Sequence, residues 1–188
     1  MCEKYPRHDN DSEIYAKFWL IGRAYAVQLE RNKRKVKIKG DFYKQVAKTV
    51  KNRFDQFLLP LKGRNLTTNE DVRIILQIHR AVMKFIRKEI TEDDKRSFVS
   101  KYLHFHFRDL FFIYDSKASS VINSIISQCG YDEEKRDYKK IINDTEYDKP
   151  YADFFIKCFF LKKYLEKNGC NFSLREIDSY LLERANAE

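Results

Sequence analysis

"TTNEDVRIILQIHRAVMKFI" (Thr67–Ile86) decides the fold class. Val72, Ile75, Leu76, His79, Val82, Met83 and Ile86 recur at steps of three and four residues. That spacing puts them on one face of an α-helix and fits no alternating strand. Thr67 followed by Glu70 has the spacing of a capping box and predicts where the helix begins. His79 falls within the apolar stripe and reads as a core histidine rather than a ligand.

The same signs continue outward in both directions. Upstream, Asn10 with Glu13 opens a first helix carrying Ile14, Phe18, Ile21 and Tyr25 on one face. Gly22 within it marks a close approach by another element. Gly40 and Asp41 stop the connector "RNKRKVKIKG" and cap a second helix expected from Phe42 to about Leu59, and Pro60 and Gly63 end it. The alternating "VKIK" allows a short strand or an extended loop. Downstream, Thr91 with Asp94 is expected to open a helix through Phe98 and Leu103, and Asp115 or Ser116 the next one, closed by Cys129-Gly130. The polar run "YDEEKRDYKKIINDTEYDK" reads as a short helix plus a loop. Pro150 suits the first turn of a strong helix ending at Asn168-Gly169, and Ser173 with Glu176 is the clearest capping box in the chain. The expectation is an all-α protein of seven or eight helices forming a single helical domain over residues 1–188, with room for two small lobes and a cleft between them.

Composition narrows the function. The net charge of +9 is concentrated: Arg31 to Arg53 holds ten basic residues and one acid, Asp41, out of totals of 37 and 28, which leaves 27 of each elsewhere. A localised excess of this kind favours a polyanion, most commonly a nucleic-acid backbone. Arg31, Lys33, Arg34, Lys35, Lys37, Lys39, Lys44, Lys48 and Lys51 are the candidate phosphate contacts, with Lys44, Lys48 and Lys51 on one helix face. No apolar run is long enough to span a membrane, and "MCEKYPRHDNDSE" has no signal-peptide apolar region. A cytoplasmic monomer is expected. The four cysteines form no C-x-x-C pair, which argues against a zinc site.

The chemistry centres on "SKYLHFHFRDLFFIYDSKASS" (Ser100–Ser120). On a helix starting at Phe98, Val99, Tyr102, Leu103 and His106 cluster on one side, with Lys101 and His104 on a more polar side. The two histidines point about 200° apart and cannot share a metal ion, so no metal and no cofactor is expected. Asp115 stands between the apolar "LFFIY" and a serine-rich helix start. There its neighbours would desolvate it and amide donors would favour its anion. A plain N-cap accounts for such a residue as well.

"SKYLHFHFRDLFFIYDSKA" and "SLREIDSYLL" resemble segments of small bacterial helical proteins related to the helix-hairpin-helix DNA glycosylase superfamily. In that superfamily an aspartate after an apolar run opens a helix, often as V-D-T or V-D-S, and "YDS" (Tyr114–Ser116) is similar. The resemblance implies that Asp115 is the catalytic carboxylate and that Lys101 matches the upstream lysine of bifunctional members. The family's Gly-x-Gly hairpin turn is absent from "DKRSFVSKY", and the interval from Lys101 to Asp115 is shorter than the family's. On this resemblance the expected function is monofunctional excision of a damaged or modified base from double-stranded DNA, in repair or in defence against phage DNA. Trp19, Tyr102, His104, His106, Phe112 and Tyr114 are the candidate lining of the base pocket. The alternatives are a non-catalytic nucleic-acid-binding module and a helical protein-interaction domain.

Overall fold

The computed structural model describes residues 1–131, 138, 139, 141 and 146–187. Among them are eight α-helices: α1 (Asp11–Ala24), α2 (Phe42–Val50), α3 (Asp55–Leu58), α4 (Asn69–Glu89), α5 (Arg96–His106), α6 (Ser116–Ser127), α7 (Lys149–Lys167) and α8 (Leu174–Ala187). The protein is all-α. The "VKIK" alternation yields one isolated antiparallel bridge, Val36 to Thr91, and no strand among the described residues. No described helix is long and apolar enough to cross a membrane. Most of the polar segment expected as a short helix plus loop (residues 132–145) lies outside the described residues.

Five of the eight helices begin where short polar side chains satisfy their free amides. Asn10 accepts from the backbone of Ser12 and Glu13, Asp41 from Lys44 and Asp115 from Lys117. Ser173 and Glu176 bond reciprocally at the start of α8. The box that opens α4 is shifted one residue from the expected pair: Thr68 and Asp71 form it, not Thr67 and Glu70. The shorter Asp71 carboxylate reaches back to the Thr68 amide and hydroxyl, while the Arg64 guanidinium also holds it.

Two other boundaries depart from expectation. The helix expected from Phe42 to Leu59 breaks after Val50, because Asn52 takes a left-handed φ of 56° and gives its amide to the His8 carbonyl. Thr91 does not open α5; it is spent on the bridge to Val36, and the helix starts at Arg96 without a side-chain cap. Gly22 meets its expected reason. A Cβ there would lie 3.1 Å from the hydroxyl of Tyr43 on α2.

Helix α5 runs through the core. Its Phe98 and Tyr102 pack with Phe18 of α1 and with Phe54, all essentially unexposed, at centroid distances of 4.6 to 5.6 Å. This fixed helix carries both polar sets that matter below.

Candidate functional site

The site starts from a polar stripe on α5. Ser97, Ser100, Lys101 and His104 stand at i, i+3, i+4 and i+7, so one face of a largely buried helix is polar. The chain leaving α5 turns back over this face, and the stripe pins it. His104 Nδ1 lies 2.7 Å from the Phe111 carbonyl. The Tyr114 amide donates to Ser100 Oγ at 3.0 Å, and Ser97 Oγ donates to the Tyr114 carbonyl at 3.0 Å. Three side chains thus fix the segment 111–114, and the next residue, Asp115, is delivered to Lys101.

Lys101 Nζ donates to Ser97 Oγ at 2.9 Å and lies 3.6 Å from Asp115 Oδ2. Asp115 Oδ1 accepts the Lys117 amide at 2.9 Å. One carboxylate oxygen is therefore tied to the α6 N-terminus and the other faces the amine. The Lys101 side chain is only 6% exposed and that of Asp115 31%. Burial pushes the Lys101 amine below its usual range, and Asp115 opposes that shift.

Both side chains line one cleft of about 450 Å³, a volume suited to a small-molecule or nucleoside ligand. Its other walls come from the chain after α1 (Tyr25, Ala26, Val27, Gln28 and Arg31), from Asp94 to Phe98, and from Tyr114 and Ser116. Ala26 closes a Schellman turn, with Val27 N–H bonded to the Gly22 carbonyl and Ala26 N–H to Arg23. It does so at φ 51°, a conformation that favours glycine. Arg96 is held by the Asp148 carboxylate through two bonds, and its guanidinium lies 5.4 Å from the Tyr114 ring centre.

The basic connector reaches this cleft through Arg31 and is tied to the segment that precedes Asp94. Lys37 N–H bonds the Ile90 carbonyl, Glu92 N–H bonds the Lys35 carbonyl, and Lys35 Nζ pairs with Asp93 at 2.7 Å. The segment from 90 to 93 leads directly into the cleft wall at Asp94, and Arg31 lines the cleft itself. Arg34, Lys39 and Lys48 are exposed. Lys37 Nζ bonds the Lys88 carbonyl, while Lys44 pairs with Asp41 and Lys51 with Asp11. Lys44 and Lys48 border a separate depression beside Asp11 and Tyr15. The Lys33 side chain lies outside what is described.

Of the residues expected in the base pocket, only Tyr114 joins Lys101 and Asp115 at the cleft. Trp19 is 44% exposed and stands outside it. Tyr102 is sealed in the core, its hydroxyl 2.6 Å from His8 Nε2. Phe112 is buried against Phe155, and Tyr151 bonds its carbonyl. The helical wheel is corrected at its histidines: His104, expected on the open side, is 2% exposed because the segment after α5 covers it. His106, expected inside, is half-buried and borders a different depression with Phe107 and Arg108. Ser97, Ser100 and Arg96 escaped the sequence reading, and Tyr25, expected on the apolar face of the first helix, lines the cleft. The signal available for the serines was their register with Lys101 and His104 on an otherwise apolar helix.

Among the described residues, no group of three or more His, Cys, Asp or Glu side chains is placed to hold a metal ion. Compared with known protein families, curated proteins and solved structures, the chain matches none.

Proposed function

We propose that the cleft binds a nucleotide turned out of DNA and that Asp115 assists cleavage of its N-glycosidic bond. The observation that carries this reading is the meeting of Asp115 Oδ2 and Lys101 Nζ, 3.6 Å apart, inside an open cleft lined by Arg31 at the start of the basic connector. Breaking an N-glycosidic bond builds positive charge on the sugar, and a fixed carboxylate stabilises it or activates the incoming water. Helix α6 pins one Asp115 oxygen, which holds the other in place without reorganisation at the moment of reaction. Tyr25 and Tyr114, which line the cleft, are the aromatic side chains on which the extruded base would stack. Arg31 and the exposed Arg34 and Lys39 would hold flanking phosphates.

The experiment has two arms. Free-base release is measured on DNA carrying a panel of damaged and modified bases, for wild type and Asp115→Asn. Affinity for the same duplexes is measured across a salt series. Replacing Arg34 and Lys39 together by alanine should flatten the slope of log K against log salt by roughly two, about one for each phosphate that is no longer neutralised. An unchanged slope removes the connector from the interface. Salt-dependent binding with no base release from any duplex makes the protein a non-catalytic nucleic-acid-binding module instead.

A further inference from the structure

A second cavity, of about 380 Å³, opens between α6, α7 and α8 and shares no lining residue with the Asp115 cleft. Helical spacing builds it. Ile125 closes one side from α6, while Leu161, Tyr164 and Leu165 stand on one face of α7 at i, i+3 and i+4. Helix α8 adds Glu176, Ile177 and Tyr180. Phe172 precedes the Ser173 cap, so it and Ile177 hold the two positions of a hydrophobic staple, and both line the cavity. Leu161 and Ile177 are buried, but the rings are not. Tyr164, Phe172 and Tyr180 are 36 to 45% exposed, three of the seven large hydrophobic side chains left open to solvent among the described residues. Apolar surface left open and gathered at one hollow marks a binding site.

Charge decides what this hollow takes. The chain carries a net charge of +9. Yet among the described residues no basic side chain lines the cavity, and Glu176 is its one charged group. Glu176 Oε2 accepts from the Ser173 amide at 2.8 Å and from the Ser173 hydroxyl at 2.7 Å. These bonds fix the carboxylate and hold it below the ordinary carboxylate range, so it is ionised at neutral pH. We infer that the cavity binds a small organic cation, a quaternary or protonated amine carried on an apolar body. The cation would meet Glu176 and the rings of Tyr164, Phe172 and Tyr180, since aromatic rings attract positive charge. The apolar body would displace water from Leu161, Leu165 and Ile177. A carboxylate or phosphate ligand would face the Glu176 charge with no lining base to offset it. A neutral apolar ligand would gain nothing from that carboxylate. The inference is independent of the chemistry proposed for the Asp115 cleft.

The test titrates the full chain with two probes of the same shape, phenyltrimethylammonium and neutral tert-butylbenzene. Binding is followed by NMR at the Ile125 and Ile177 methyl groups. The cation should bind about tenfold tighter than the neutral probe. Glu176→Gln keeps the capping box, because glutamine serves at that position. It should weaken the cation about fivefold and leave the neutral probe unchanged. Tyr180→Leu, at an exposed position, should weaken the cation about threefold and the neutral probe less. Equal affinities for the two probes, an unchanged cation affinity in Glu176→Gln, or methyl resonances that neither probe moves would each overturn the inference. Self-association would overturn it as well: a mass that grows with concentration in sedimentation, and returns to the monomer in Tyr180→Asp, would mean that a second copy of the chain fills the hollow.

Discussion

Helix α5 holds two acid–base sets on different sides, and their contrast locates the chemistry. On one side, Tyr102 OH meets His8 Nε2 at 2.6 Å, and His8 Nδ1 meets Asp55 at 2.5 Å. On the other, Lys101 meets Asp115 at 3.6 Å. By hydrogen bonding alone the first set is the better made, with an acid, an imidazole and a hydroxyl in series. Yet His8 and Tyr102 are fully buried and ringed by Phe54, Phe18 and His106. No ligand reaches them. The second set is loosely paired and opens into a cleft. The tight set serves stability by pinning the N-terminal segment to the core, and the loose set is free to change partners. Well-satisfied polar networks rigidify a fold, whereas reactive groups need an unfilled position near them.

The sharpest way to break the contrast is to delete one group from each set. His8→Ala should destabilise the protein by about 3 kcal/mol, because it opens a void and strands the Tyr102 hydroxyl. Lys101→Met should change stability by no more than about 1 kcal/mol, since an apolar side chain of similar length replaces a partly paired buried cation. Chemical denaturation measures both. Equal losses would mean that the cleft pair is a structural pair like the other.

His8 and the buried acid of α8, Asp178, should also respond to pH with opposite signs. Burial pushes His8 down to about 4 from an ordinary 6.5. Its contribution is present above pH 6.5 and is lost as pH falls through about 4. Burial pushes Asp178 up to about 6 from 3.8. Its contribution is present below 3.8 and is lost as pH rises through about 6. Each is worth at most about 3 kcal/mol, and in wild type they largely cancel between pH 4 and 6. His79 and His106, pushed down by burial to about 3 and about 2, also favour higher pH there, so Asp178→Asn should steepen the rise in stability with pH over that window and His8→Phe should flatten it. Two variants with the same slope as wild type would contradict both assignments.

A smaller effect is expected at the cleft rim. Ala26→Gly should stabilise the fold by about 0.5–1 kcal/mol, because glycine holds a positive φ without the Cβ penalty. If thermal unfolding shows a loss instead, the Ala26 methyl packs in the rim strongly enough to outweigh its backbone strain.

Local signals made much of this readable from sequence. Asn10, Asp41, Asp115 and Ser173 each announce a helix within a few residues, because a cap is a bond between near neighbours. Asp115 and Lys101 were legible as a pair only through a resemblance, yet they do share the cleft. What escaped depends on long-range packing. The break after Val50 is set by an amide bond from Asn52 to the His8 carbonyl, and the late start of α5 by the Val36–Thr91 bridge. His104 looked open on a helical wheel because the wheel cannot show that residues 111–114 fold back over it. Asp178 carries no local signal of its burial. Its burial follows from where α8 packs, which no local pattern records.

The most direct measurement is release of free base from modified DNA by wild type and Asp115→Asn, at matched folding and matched DNA affinity. The account predicts that Asp115→Asn loses about two to three orders of magnitude in release rate while still binding DNA. Release at the wild-type rate by Asp115→Asn would contradict it.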